Sequence, residues 1–247
     1  MLIATVKEII KQTSDTHSFI LELDEGNMDF KPGQHIIIVF EKDNKKVFRP
    51  YSLTSLPKDL PKFELCIKSY ENGTASVYMN DKKVNDKLTF NKPIGNLFIR
   101  NKDKENVFIA TGTGITPMMG MIRELLDENS NKETWLFFGV RTSKEIIFKN
   151  EFEELASKNK IFHFIVSLSH PDREWKGEKG HVQECIEKHI KDISNKDFYV
   201  CGVPKMVTQT IEKLKSLGVK EENIYSEGCV KSSGLFFFTF TLFIFSK

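Results

Sequence analysis

The pattern of apolar residues changes character near residue 100, and that change limits the folds open to this 247-residue chain. Before it, short runs at Ile3–Ile10, Ser18–Leu23, His35–Phe40, Arg49–Leu53, Phe63–Ser69 and Lys87–Phe90 are separated by turn residues. Such even spacing predicts a small antiparallel β-barrel. Ala75–Asn80 reads as a short helix closing it. After the change, strands at Asn106–Ala110, Thr134–Gly139, Phe162–Leu168 and Asp197–Cys201 alternate with helices at Thr116–Glu128, Phe148–Lys158, Val182–His189 and Pro204–Leu217. That alternation predicts a Rossmann-like, doubly wound parallel sheet. The segment Arg100–Glu105 is charged and holds no apolar residue, so the boundary is placed there, giving units 1–102 and 103–229.

Composition excludes several alternatives. With 40% hydrophobic and 28% charged residues the chain reads as globular, and a net charge of +2 gives no reason to expect a nucleic-acid partner. Cys66, Cys185, Cys201 and Cys229 show no metal-ligand spacing, and neither do the histidines His17, His35, His163, His181 and His189. These histidines, with Trp135 and Trp175, read as packing or surface residues. The cysteines read as free thiols, which points to the cytoplasm. The opening Met1–Lys7 reads as a strand, not a signal peptide.

One segment fits none of this. Leu235–Phe245, within a tail at 230–247, is apolar at nine of eleven positions and contains six phenylalanines. It is too short for a helix to span a bilayer. A buried strand, a subunit contact, a peripheral membrane contact or a frame-shifted, non-native end would each account for it, and it is assigned no chemistry.

Four phrases carry chemistry, and two of them fall at the carboxyl ends of predicted parallel strands, where ligands of such sheets bind. Gly112-Thr113-Gly114-Ile115-Thr116-Pro117 joins a strand to a helix. Its glycines permit close approach of a diphosphate, Thr116 is placed to cap the helix, and Pro117 suits the first position. A plain structural turn fits the same residues. Cys201-Gly202 ends another strand; a thiol there can touch a ligand ring, or be a small buried hydrophobe. In the first half, Arg49-Pro50-Tyr51-Ser52 offers a fixed cation, a flat ring and a hydroxyl from one strand. Gly73-Thr74-Ala75-Ser76 opens the short helix with free backbone amides, or simply caps it.

Taken in order, these phrases resemble the ferredoxin–NADP reductase superfamily over roughly residues 1–228. The resemblance implies an antiparallel β-barrel that binds FAD, followed by an α/β domain that binds NADH or NADPH. It places Arg49, Pro50, Tyr51 and Ser52 on the flavin and Gly73, Thr74, Ala75 and Ser76 on its pyrophosphate. It places Gly112, Thr113, Gly114, Thr116 and Pro117 on the nicotinamide cofactor's diphosphate, and Cys201, Gly202 and Met206 beside the nicotinamide. Arg141 and Ser169 border the adenosine half. Ser52, Cys201 and Glu227 are the implied catalytic set. The chain departs from the family where an aromatic residue would shield the flavin: Cys229 stands there. No iron–sulfur motif is present, so electrons are expected to leave to a separate protein or a small acceptor.

An extra ribose phosphate calls for cations. Arg141, Lys144, Ser169, His170 and Arg173 are the candidates, but His170 stands where NADPH-selective relatives often carry arginine. The expectation is therefore NADH. Two rival readings are a relay or regulatory flavoprotein subunit without activity of its own, and a flavin-free binding module.

Overall fold

The computed structural model describes residues 1–71, 73–128 and 130–228. The Phe-rich tail and Cys229 lie outside the described residues. In chain order the elements are β1 (Leu2–Lys11), β2 (Thr16–Leu23), β3 (His35–Lys42), β4 (Lys45–Ser52), β5 (Lys62–Lys68), α1 (Thr74–Asn80) and β6 (Lys87–Phe90). They continue as β7 (Glu105–Thr111), α2 (Ile115–Asp127), β8 (Thr134–Val140), α3 (Lys149–Lys158), β9 (Phe162–Leu168) and β10 (Glu178–Lys179). The last are α4 (Val182–His189), β11 (Lys196–Gly202), α5 (Pro204–Ser216) and β12 (Ile224–Gly228).

The first six strands form one antiparallel sheet in the order β4-β3-β6-β1-β2-β5. It curls until its edges meet: Leu53, just past β4, bridges Leu65 of β5. Alternate residues point inward, so Ala4, Val6, Leu21, Ile36, Ile38, Leu65, Leu88 and Phe90 fill one core. Pro50 is tolerated because β4 is an edge strand and its missing N–H breaks no ladder.

The second sheet is parallel throughout, in the order β10-β9-β8-β7-β11-β12. Helices α2 and α3 cover one face, packing on Phe108, Phe138 and Tyr199. Helices α4 and α5 cover the other, packing on Val107, Ile109, Phe137 and Val200. Both faces are covered, so the central strands read as unbroken apolar runs. Each fully buried Phe side chain contributes about 1.5–3 kcal/mol to this layer.

Two strands were not visible in the sequence pattern. β10 has only two residues, and β12 lies at the sheet edge, half-buried along its length, without an apolar run. The expected start of α2 also changes. A short 3₁₀ turn occupies Gly112–Gly114 and the helix opens at Ile115. Thr116 is therefore already helical and does not cap. Its hydroxyl donates back to the Thr113 carbonyl at 2.8 Å, and Pro117 is the third helical residue, where its missing N–H still costs nothing.

Candidate active site

A cleft of about 1680 Å³ opens where the carboxyl ends of β7, β8 and β11 face the end of β4. It is larger than the usual range of roughly 300–1,000 Å³ for one small-molecule pocket.

From the first sheet, Arg49, Pro50, Tyr51 and Ser52 all line it. Burial pushes the Tyr51 hydroxyl up to about 12, so the ring stays neutral at physiological pH. The Arg49 guanidinium donates to the Phe48 carbonyl at 2.8 Å. Gly73, Thr74, Ala75 and Ser76 also border the cleft. Ser76 has a structural task as well: its Oγ accepts the Tyr70 amide at 2.7 Å and closes the loop that leads into α1.

From the second sheet, Gly112, Thr113, Thr116 and Pro117 line the cleft, as do Arg141, Ser169, Cys201 and Met206. Gly112 has φ +54°, and a Cβ there would meet nothing within 4 Å. The turn thus presents bare backbone to open space, as a diphosphate cradle must. Gly114 and Gly202 behave differently from expectation: neither is among the residues lining the cleft. A Cβ on Gly114 would stand 2.2 Å from the Cys201 carbonyl oxygen, and one on Gly202 would stand 2.2 Å from Thr111 Oγ1. These two glycines let adjacent strand ends approach. The Val203 amide donates to Thr111 Oγ1 at 3.2 Å across the same seam.

The site has members that sequence reasoning missed. His35 is buried, lines the cleft and pairs in register with Ser52. Its Nδ1 lies 3.8 Å from Oε1 of Glu227 on β12. The two sheets thus meet at Ser52, His35 and Glu227. Burial pulls His35 down to about 4 and pushes Glu227 up to about 7, in each case by desolvating the charged form. His35 is packed, as its sequence reading has it, and also forms part of the cleft wall. Thr111, Lys205 and Gln209 also face the cleft. Thr111 and Lys205 directly precede the singled-out Gly112 and Met206, whereas Gln209 carried no signal of its own. Among the described residues no cluster of His, Cys, Asp and Glu could hold a metal ion. His170 keeps to the rim, its Nδ1 3.0 Å from Ser169 Oγ.

The comparisons match this geometry half by half. The family profile described as "Oxidoreductase FAD-binding domain" matches residues 3–99, and "Oxidoreductase NAD-binding domain" matches residues 108–212. NADH-cytochrome b5 reductase 1 of Dictyostelium discoideum is 32% identical over 224 residues, covering 89% of this chain and 78% of its own. The chain belongs to the ferredoxin–NADP reductase superfamily. Ferredoxin–NADP reductase B of Sorangium cellulosum is 28% identical over 231 residues, with 90% of this chain and 91% of that one covered. The fold of the flavohem-like FAD/NAD-binding domain of nitric oxide dioxygenase from Vibrio cholerae superposes with a TM-score of 0.85 at 24% identity, over 92% of this chain and 98% of that one.

As a member of this superfamily the chain is an NAD(P)H-dependent flavin oxidoreductase. It takes a hydride from NADH or NADPH onto FAD and passes the electrons on. The residues present fit both groups. The cleft exceeds one ligand's volume, the Gly112 turn is an open anion cradle, and Arg49 stands on the opposite wall.

Proposed function

We propose that the chain is an NADH-preferring flavin reductase that delivers electrons to a separate small redox protein. The single observation that carries this reading is the meeting of two cofactor walls in one cleft: Arg49–Ser52 from the first sheet, and Gly112–Pro117 with Cys201 from the second. We assign the unit boundary to residues 102 and 103.

Each residue has a role drawn from its position. Arg49 and the first turn of α1 hold the flavin's diphosphate, and Tyr51 packs against the flavin body. The Gly112–Gly114 turn and the start of α2 hold the nicotinamide cofactor's diphosphate, where amides and helix dipole favour an anion. Cys201 walls the nicotinamide, Gly202 lets its strand end close against Thr111, and Met206 backs that turn: its Cε would lie 2.7 Å from a Gly202 Cβ. Ser52 and Glu227 stand at the junction, where a carboxyl raised to about 7 can hold or release a proton near neutrality.

The preference for NADH rests on the rim. Arg141 and Ser169 border the cleft there, and the resemblance to the family sets His170, beside Ser169, where NADPH-selective relatives often carry arginine. A protein acceptor follows from the relatives, whose names couple reductases to cytochrome b5 and to ferredoxin. The described cysteines Cys66 and Cys185 are free thiols, in keeping with the cytoplasm. No described helix is long and apolar enough to cross a membrane.

Anaerobic titration of the purified, flavin-loaded protein with NADH and NADPH in parallel tests the reading. NADH should bleach the flavin at the lower concentration. Bleaching by NADPH alone overturns the preference, and bleaching by neither favours a relay subunit.

A further inference from the structure

Helix α2 starts at the diphosphate turn and then runs across to the first sheet. About two turns along, its residue Arg123 crosses the seam. Its Nη1 donates to the Thr54 carbonyl at 2.6 Å and lies 3.3 Å from Glu64 Oε2. Its Nε donates to Glu151 Oε1 of α3 at 3.0 Å, and Nη2 reaches the same oxygen. Thr54 is fully buried and Glu64 nearly so. Thr54 follows Ser52 by two residues, so this guanidinium holds the backbone that leaves the flavin strand.

One turn earlier, Gly120 brings α2 onto the same backbone. A Cβ there would stand 3.1 Å from the Leu53 carbonyl oxygen. Two consecutive carbonyls, those of Leu53 and Thr54, thus rest on α2 at successive turns. Lys58 and Asp127 form a further ion pair across the seam at the last residue of the helix.

We infer that Arg123 is a positioning residue for hydride transfer: through α2 it fixes the spacing between the nicotinamide-binding turn at one end and the Ser52 strand at the other. The inference rests on the assignment of the Gly112 turn to the nicotinamide cofactor. Arg123 touches no cofactor wall, and its side chain is not part of the cleft lining. Its effect is geometric, and such effects are steep, since a misplacement of about 1 Å can cost roughly a hundredfold in rate.

The test compares the flavin-loaded parent with Arg123→Gln and Arg123→Lys. Three quantities are measured: flavin content, the limiting rate of flavin reduction per bound flavin, and the charge-transfer absorbance of stacked nicotinamide and flavin. A fourth readout needs no cofactor, the yield of a zero-length crosslink between Lys58 and Asp127. Arg123→Gln should keep its flavin and lose at least about tenfold in limiting rate. Its charge-transfer absorbance and crosslink yield should fall with the rate, and Arg123→Lys should recover part of each. A parent-like rate, or a slow rate with unchanged absorbance and crosslinking, overturns the inference. If Arg123→Gln loses its flavin, Glu64→Gln decides by the same measures, a parent-like result again overturning it. A parent that no nicotinamide reduces fails the underlying assignment instead.

Discussion

Gly114 lies directly beneath the Cys201 carbonyl, so close that a Cβ on the glycine would stand 2.2 Å from that oxygen. The Gly112–Gly114 turn, proposed to hold the diphosphate, and the end of β11 are therefore one packed unit. Gly114→Ala forces them apart. Overpacking of this kind costs about 1–3 kcal/mol, which a thermal melt would read as a lower Tm. The Michaelis constant for NADH should rise, while flavin content holds, because Arg49–Ser52 belong to the other sheet. An unchanged Tm and Michaelis constant would show that the two turns move independently.

His35 and Glu227 make opposing contributions to pH-dependent stability. Burial depresses His35 from 6.5 to about 4, so its contribution is present above pH 6.5 and is lost as pH falls toward 4. Burial raises Glu227 from 4.5 to about 7, so its contribution is present below pH 4.5 and is lost as pH rises toward 7. Between these limits the two slopes largely offset. Glu227→Gln removes one of them, and its Tm relative to the parent should then drop as pH is lowered from 6.5 to 4.5. Parallel melting curves for variant and parent across that window would refute the account.

Much of this site was legible because local chemistry and local pattern coincide. Gly112–Pro117 announces itself as a strand-to-helix turn, and Cys201-Gly202 as the end of an apolar run; the fold then brings both to one cleft. What stayed hidden depends on distance in sequence. Arg123 and Thr54 are 69 residues apart, and an arginine on a helix reads as a solvated side chain. His35 looks like one polar residue on an apolar strand, and only its register with Ser52 reveals its neighbourhood. Gly114 and Gly202 were read as ligand contacts because a glycine needed for close packing leaves the same mark as one needed for ligand approach.

Cys201 is buried yet part of the cleft wall. Cys201→Ala removes one sulfur from the wall proposed to orient the nicotinamide and leaves the backbone turn intact. The limiting rate of flavin reduction should fall by roughly tenfold or more through lost orientation, with flavin content unaltered. Rapid-mixing absorbance measurements separate these effects. Equal reduction rates for variant and parent would remove Cys201 from the catalytic set.

Arg49 contributes charge where Cys201 contributes shape. It extends from an edge strand whose geometry Pro50 stiffens, and its guanidinium donates to the Phe48 carbonyl at the cleft wall. A hydrogen bond between charged partners is worth about 1.5–3 kcal/mol, so Arg49→Ala should weaken FAD binding by roughly ten- to a hundredfold. Equilibrium dialysis of the apoprotein against FAD reads this directly. Arg49→Lys should recover only part of the loss, since an ammonium cannot grip a phosphate with two parallel bonds. The rate per bound flavin should stay near the parent's in both variants, because the proposed role of Arg49 is on the cofactor's diphosphate and not on the reacting ring. A variant that retains FAD as tightly as the parent would mean that the diphosphate is held elsewhere, with the first turn of α1 the next group to test.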